Sequence, residues 1–456
     1  MQNDKAPKEE VICTYSEVIG EIVLVEMIVR NETGEKKATF PNAIIELRGP
    51  HDADTLLYHY DTVPQDSPLI ISLPYVMDIK RRATFLENLP MRLRPKTSFK
   101  SVCKERILLA DPCPEVFWLK RPGLRKKLKD IPGVPADFCD IFDSYETKNY
   151  AGWTDAAAKG DYANFTDALI RFEKNFGFDF FAPVVPTIDA NTPTSPLFVN
   201  SFNMAVARIM KDSKKKLPLL YNLTLNSNIF FQNQSSIIEN IKSYITEDFS
   251  KKIFSGLYVR IRDIEDLIAR KDFNKSESML HDFISWLGSL SKTFNLPVFL
   301  IHSGYYGYYG LDKGIQAFSE PTSGDLDDLK DPKEGHPKKE YLFGKTLIID
   351  DCRELTKKEL DEYLKNNGRL PHLPGVPDIP TDEQNKNSTK FRDHFAKPRR
   401  FATRKEEISR LKVSLAKKQI DSIEQYISRC DNKNLKKFLG MADELPEIKV
   451  VKKSTP

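Results

Sequence analysis

No apolar stretch in this 456-residue chain approaches the roughly 20 residues needed to cross a bilayer, so no membrane span is expected. The opening MQNDKAPKEE is polar and charged, and no secretory signal is expected there. The six cysteines (Cys13, Cys103, Cys113, Cys139, Cys352, Cys430) are scattered without C-x-x-C spacing. They read as free thiols of a reducing compartment, most of them serving as small buried hydrophobes. A cytoplasmic location is the expectation. No G-x-x-x-x-G-K-[ST] phosphate loop, no kinase pattern and no G-x-S-x-G elbow occurs. The excess of basic over acidic residues is only +4, too small to argue for nucleic acid by itself. There are no internal repeats, and no catalytic signature names a reaction.

What is present is material for a large core: 40% hydrophobic and 29% charged residues, an ordinary globular balance. Residues 11–40 read as a β-rich preface, with a strand-like run Ile22–Val29 and a hairpin turn at Asn31–Gly34. From Ala43 onward, strand-like runs alternate with helical spacing. The runs are AIIELR, LIISL, RILLA, Val116–Leu119, Phe178–Val185, Leu219–Leu225, Leu257–Arg262, Val298–His302 and Ala317–Ser319. Strands alternating with helices of about 10–18 residues imply βαβ units and a parallel sheet. With about eight strand candidates, and no Gly-rich dinucleotide turn after the first, the expected fold is α/β, a (β/α)8 TIM-like barrel. An N-terminal β-rich preface and a C-terminal helical extension complete it.

The expected division is residues 1–40 for the preface, 41–350 for the barrel, 351–443 for the extension and 444–456 for a polar tail. Two inserts interrupt the barrel: Lys120–Ala158, read as a surface loop, and the acidic, polar Thr322–Glu340. Tyr341–Ile349 reads as a hairpin arm. The extension holds a proline-spaced linker, Asn367–Lys390, then the basic-aromatic stretch Lys390–Lys405. Next comes a long amphipathic helix carrying Ile408, Leu411, Leu415, Ile420, Ile423 and Ile427.

Strand parity nominates a site. Side chains alternate between the barrel interior and the helix layer. Leu257, Val259 and Ile261 as the outward set send Tyr258, Arg260 and Arg262 inward. Ile45 and Leu47 outward leave Glu46 and Arg48 inward, and Leu223 and Leu225 outward leave Asn222, Thr224 and Asn226 inward. Val298–Ser303 is apolar on both parities lower down, with Leu300 and His302 on one face. A barrel interior is ordinarily layered with branched apolar residues, and buried charge must be paired or solvated. Arg48, Asn222, Arg260 and Arg262 are therefore candidate ligand-binding residues for a small anionic or nucleobase-containing molecule, through forked hydrogen bonds. Glu46 and His302 are the candidate catalytic acid and base. The same charges also read as a structural ion-pair network, Glu46 with Arg260 for instance.

The loop after Val298–His302, SGYYGYYG, offers Gly304 and Gly307 as a backbone cradle for phosphate. It reads equally as a tight turn with tyrosines packed over the barrel mouth. Lys390–Lys405 is a possible RNA contact or, alternatively, a linker docked by its phenylalanines. No metal cluster stands out. His51 and His59, with Asp52 and Asp54 nearby, read as a solvated helix start. Cofactor and oligomeric state are not indicated by any motif.

In the C-terminal third, PVFLIHSG, GIQAFSEPTSG, YLFGKTLII, Cys352 and the Arg404–Arg429 helix follow one another. This order of parts resembles the tRNA-guanine transglycosylase family. The family's DSGGF segment is absent, Cys352 alone stands for its zinc cysteines, and Gln316 stands where it has an aspartate. No catalytic or zinc residue carries across. The resemblance implies a divergent barrel relative with a nucleotide or RNA ligand.

Overall fold

The computed structural model describes residues 10–19, 22–31, 34–40, 42–63, 66–113, 122–135, 138, 160–190, 196–212, 217–321, 346–348, 353–373, 376, 378–379, 385–428 and 433–439. Three strands open the chain: β1 (Glu10–Ile19), β2 (Ile22–Asn31) and β3 (Gly34–Phe40), in an antiparallel sheet of order β1-β2-β3. Asn31 pairs with Gly34, and Gly34 takes φ +136°, a conformation that glycine adopts without steric cost.

The main sheet is parallel and seven-stranded. Its members are β4 (Asn42–Leu47), β5 (Leu69–Ser72), β6 (Leu108–Asp111), β7 (Leu220–Asn226), β8 (Gly256–Arg262), β9 (Val298–Ile301) and β10 (Ala317–Pro321). The order β6-β5-β4-β10-β9-β8-β7 brings the last of these strands beside the first. Helices Val76–Glu87, Asp161–Phe176, Pro196–Asp212, Ser235–Ser250 and Asn274–Phe294 form the outer layer. The strands are buried on both faces, as parallel sheets require.

Phe178–Val185, read as a strand, makes one isolated bridge, Phe181 with Leu219, and the segment continuing from it to Ile188 makes a second, Ile188 with Leu225. Its prolines, Pro183 and Pro186, remove ladder donors. It still meets both edges of the sheet. Asp179 N–H donates to Leu108 O on the β6 side (2.9 Å), and Leu220 N–H donates to Phe181 O on the β7 side (2.9 Å).

Alternation along the strands sorts side chains into two cores. Ala43, Ile45, Leu47, Leu257, Val259, Ile261, Val298 and Leu300 pack with the helices. Ile44, Ile70, Leu109, Phe180, Leu220, Tyr258, Phe299, Ile301 and Ala317 pack on the other face, with Val25, Met27, Val29 and Phe40 of the antiparallel sheet. Lys36 reinforces that junction through a 2.8 Å ion pair to fully buried Asp179, whose carboxylate also accepts Leu108 N–H.

The C-terminal segment is not a separate body. Helix Lys397–Ala416 packs on β4, and Ile408, Leu411, Leu415, Ile420, Ile423 and Ile427 belong to the same core as the main sheet. Five π-helical residues, Arg392–Ala396, precede it. Strand β11 (Thr346–Ile348) pairs antiparallel with β12 (Arg353–Leu355), across the boundary expected at residue 350. In the Lys120–Ala158 insert, Pro122–Leu128 is helical and residues 139–159 lie outside the described set; so do 322–340 and the tail. No described helix is long and apolar enough to cross a membrane.

Candidate functional site

At the C-terminal end of the strands the inner face turns from apolar to charged. Two residues beyond Ile44 on β4 lies Glu46, 3% exposed. Its Oε2 is 3.0 Å from His302 Nδ1, and the Ser319 hydroxyl of β10 donates to its Oε1. Ser319 in turn accepts the His302 backbone N–H at 2.6 Å. Burial alone pushes the Glu46 carboxyl up. The His302 charge and hydrogen bond, Arg48 and the Ser319 hydroxyl outweigh it and hold the pKa at about 2. Glu46 is therefore a fixed anion at neutral pH, which suits it to orienting His302 rather than to carrying the transferred proton.

His302 reaches this position by an unusual route. Parity on β9 puts Phe299 and Ile301 inside and Leu300 outside, so the expectation that His302 shares a face with Leu300 fails. His302 takes φ +59°, in the left-handed region, and its ring lies against Glu46 and Arg48. Asp263 (φ +55°), just after β8, and Cys113 (φ +45°), just after β6, do the same. A non-glycine residue in this region costs about 1 kcal/mol or more and persists where the surroundings over-determine it.

Arg48 closes the group. Its Nη1 lies 3.4 and 3.3 Å from the two ring nitrogens of His302. Burial and neighbouring Arg260 oppose its charge, but Glu46, Cys113 and Asp111 prevail, and its pKa is raised. Its Nε and Nη2 are buried and donate to no partner among the described residues. Backbone N–H groups of Arg48 and Gly49 donate to Asp52 (2.7 and 2.9 Å), and Asp52 is held from the other side by Lys397 at 2.5 Å.

A second group faces it across the interior. Tyr258 OH donates to Asp111 Oδ1 (2.7 Å), and Arg260 Nη1 is 3.7 Å from the same oxygen. Cys113 N–H and Sγ also address the Asp111 carboxylate, and Ser72 Oγ is 2.8 Å from that sulfur. The pairing of Glu46 with Arg260 considered from sequence is replaced by Glu46–His302 and Arg260–Asp111. Asp111, Ser319 and Ser72 escaped the sequence reading. The same alternation marks each of them, two residues beyond an inward apolar one: Leu109, Ala317 and Ile70.

The remaining candidates have other duties. Asn222 gives its amide to Pro183 O (2.6 Å), and its Oδ1 accepts from Thr224. It thus ties β7 to the 178–188 segment. Arg262 is on the inner face, 8% exposed, opposite Asn226. SGYYGYYG is not a loop over the mouth: Tyr306–Asp312 is a buried helix. Gly304 N–H donates to Ser319 O and Gly307 N–H to Gly304 O, so neither offers phosphate a free donor. A Cβ on Gly307 would lie 2.2 Å from the Phe318 ring, so its absence serves close packing.

Lys397, Arg399, Arg400 and Arg404 of the basic stretch are each less than 5% exposed. Arg404 lies over the Tyr305 ring at 3.7 Å and pairs with Glu407. These four cations face inward, away from any polyanion. Cys352 lies outside the described residues. Among the described residues, no group of three or more His, Cys, Asp or Glu is placed to hold a metal.

No protein-family model and no curated protein matches this chain. Among solved structures, it is similar to the crystal structure of a "putative lyase/mutase" from Burkholderia cenocepacia J2315. The TM-score is 0.28 at 9% identity, covering 61% of this chain and 76% of that one. A likeness at this level carries no argument about activity.

Proposed function

We propose that the chain is a (β/α)8-type barrel, with 178–188 as its eighth stave, that binds a small anionic ligand at the C-terminal end of its strands. Arg48 is the anchor, and His302, oriented by Glu46, is the acid–base group. One observation carries the reading: the Arg48 Nε and Nη2 donors are shielded from solvent without hydrogen-bond partners among the described residues, beside a histidine held by an ionised carboxylate. Unmade hydrogen bonds of a buried charged donor cost about 1–3 kcal/mol or more, and a carboxylate or phosphate oxygen recovers that cost in forked geometry.

Glu46 fixes the His302 ring through Nδ1, and Nε2, which Arg48 Nη1 approaches to 3.3 Å, accepts or returns a proton once the ligand draws the guanidinium to itself. Arg260 and Arg262 add positive potential. Nothing in this geometry prefers a nucleobase to another anion, so the transglycosylase-like reading supplies only a ligand class to test. The alternative, a non-catalytic module contacting RNA through Lys390–Lys405, is left with exposed Lys390 and Lys405 and half-buried Arg392.

The test is thermal shift and calorimetry against inorganic phosphate, sugar phosphates, nucleotides and nucleosides, using wild type and Arg48→Met. An anion that stabilises wild type and binds the variant at least about tenfold more weakly supports the reading. If no anion binds wild type, the reading falls. Nucleotides binding better than sugar phosphates would assign a base-recognition pocket.

A further inference from the structure

Helix Lys397–Ala416 carries four buried cations close together, and three of them have carboxylates. Lys397 pairs with Asp52 and Asp393, Arg400 with Glu354, and Arg404 with Glu407. Arg399 is the exception. It is 4% exposed, and its Nη2 donates to the Pro371 carbonyl (2.8 Å). Its Nε is buried without a partner among the described residues. An arginine stays charged in proteins, and a guanidinium withdrawn from water without a counter-charge is costly. Burial pulls the Arg399 pKa down to about 10, with only the Tyr363 hydroxyl opposing.

This side chain lines a cavity of about 380 Å³, within the size range of small-molecule sites. Exposed Arg369 and His372 stand at its rim, with Asp378 the one carboxylate among the described lining residues. Leu370, Leu373, Val376 and Phe395 give it an apolar wall. The cavity lies where two small satellite cores meet: one around Leu360, Phe391 and Phe395, the other joining Leu373 to Ala402. Neither is part of the core beneath the candidate site, and none of its lining residues belongs to that site.

We infer that this cavity is a second binding site, for a small organic anion with a carboxylate or phosphate head on an apolar body. The head lies against Arg399, with Arg369 and His372 adding attraction at the rim, and the body covers Leu373, Val376 and Phe395. The ligand supplies the counter-charge that the other three cations find among the described residues and Arg399 does not.

Benzoate, phenyl phosphate, inorganic phosphate and neutral benzyl alcohol serve as probes on the full-length protein, by thermal shift and calorimetry. Benzoate or phenyl phosphate should raise the Tm, benzyl alcohol should not, and the tighter of the two names the head group. Inorganic phosphate should bind more weakly than phenyl phosphate, since it lacks the apolar body. Arg399→Met should weaken binding at least about tenfold while leaving the Tm of the free protein equal or higher, because it removes an uncompensated charge. Val376→Trp, which fills the cavity without touching the guanidinium, should abolish binding too. Arg48→Met should leave it intact, which separates this site from the one at the strand ends. Equal binding to wild type, Arg399→Met and Val376→Trp overturns the inference, and so does the absence of any anion-dependent shift in wild type.

Discussion

The two ends of the main sheet's inner face are built from the same strands to opposite rules. At the N-terminal end, Ile44, Ile70, Leu109, Leu220, Phe299 and Ala317 pack against Val25, Met27, Val29 and Phe40. Two residues further along β4, β5, β6 and β10 stand Glu46, Ser72, Asp111 and Ser319, and on β8 Arg260 follows Tyr258. The apolar end is stabilised by area removed from water, which is non-directional and tolerant of exchange. The polar end depends on particular partners: remove one, and the others are left as uncompensated buried groups. Capping one end with an antiparallel sheet concentrates the exacting chemistry at the other, where the strand-following turns also hold three left-handed residues.

The largest loss is expected at the apolar end. Phe40→Ala should cost about 4 kcal/mol, and denaturant midpoints should show the same loss from pH 4 to pH 8, because no titrating group is involved. A loss that varied strongly with pH would mean the floor is coupled to the charges above it. Glu46→Gln should cost about 3 kcal/mol at neutral pH. The Glu46 pKa is lowered from 4.5 to about 2, so its contribution is complete above pH 4.5 and is lost as pH falls toward 2. Wild type should lose stability across that window and the variant should not; parallel curves would show that His302 and Arg48 do not hold the carboxylate.

The smallest effect belongs to the junction with the C-terminal segment. His59 Nε2 lies 3.1 Å from His394 Nδ1, and burial followed by the His394 charge lowers the His59 pKa to about 4. The unfolded chain takes up a proton near pH 6.5 and the folded one resists until about 4, so stability should decline as pH falls between those values. His59→Gln should flatten that decline, by under about 1 kcal/mol for a partly exposed ring.

Parity made much of the inner face readable. On β4, β7 and β8, charged or amide side chains alternate with branched ones, and the inward placement of Glu46, Arg48, Asn222, Arg260 and Arg262 follows from that alternation. On β9 both parities are apolar, so the position of His302 depends on a backbone torsion that no pattern records. Gly307 and Gly310 made Tyr306–Asp312 look like a loop, because a helix containing them gains from a neighbour's approach rather than from its own propensity. The apolar stripe of Lys397–Ala416 was plain, but a proline-spaced linker separated it from β4, the strand it covers. Asp111 and Ser319 went unnoticed because a single polar residue at a strand end also reads as a turn signal. The partners that distinguish the two readings lie far away in sequence.

Glu46 and His302 are separated by 256 positions in the chain. A ribosome adding roughly 5–20 residues per second emits the carboxylate some 10–50 s before the imidazole it bonds to. During synthesis Glu46 has no reason to leave water, and β4 lacks β10, its neighbour on one side, until residue 317 has been made. The pocket is thus among the last features a nascent chain can acquire, and a product terminated before residue 302 lacks both its imidazole and the Ala317 that completes the floor.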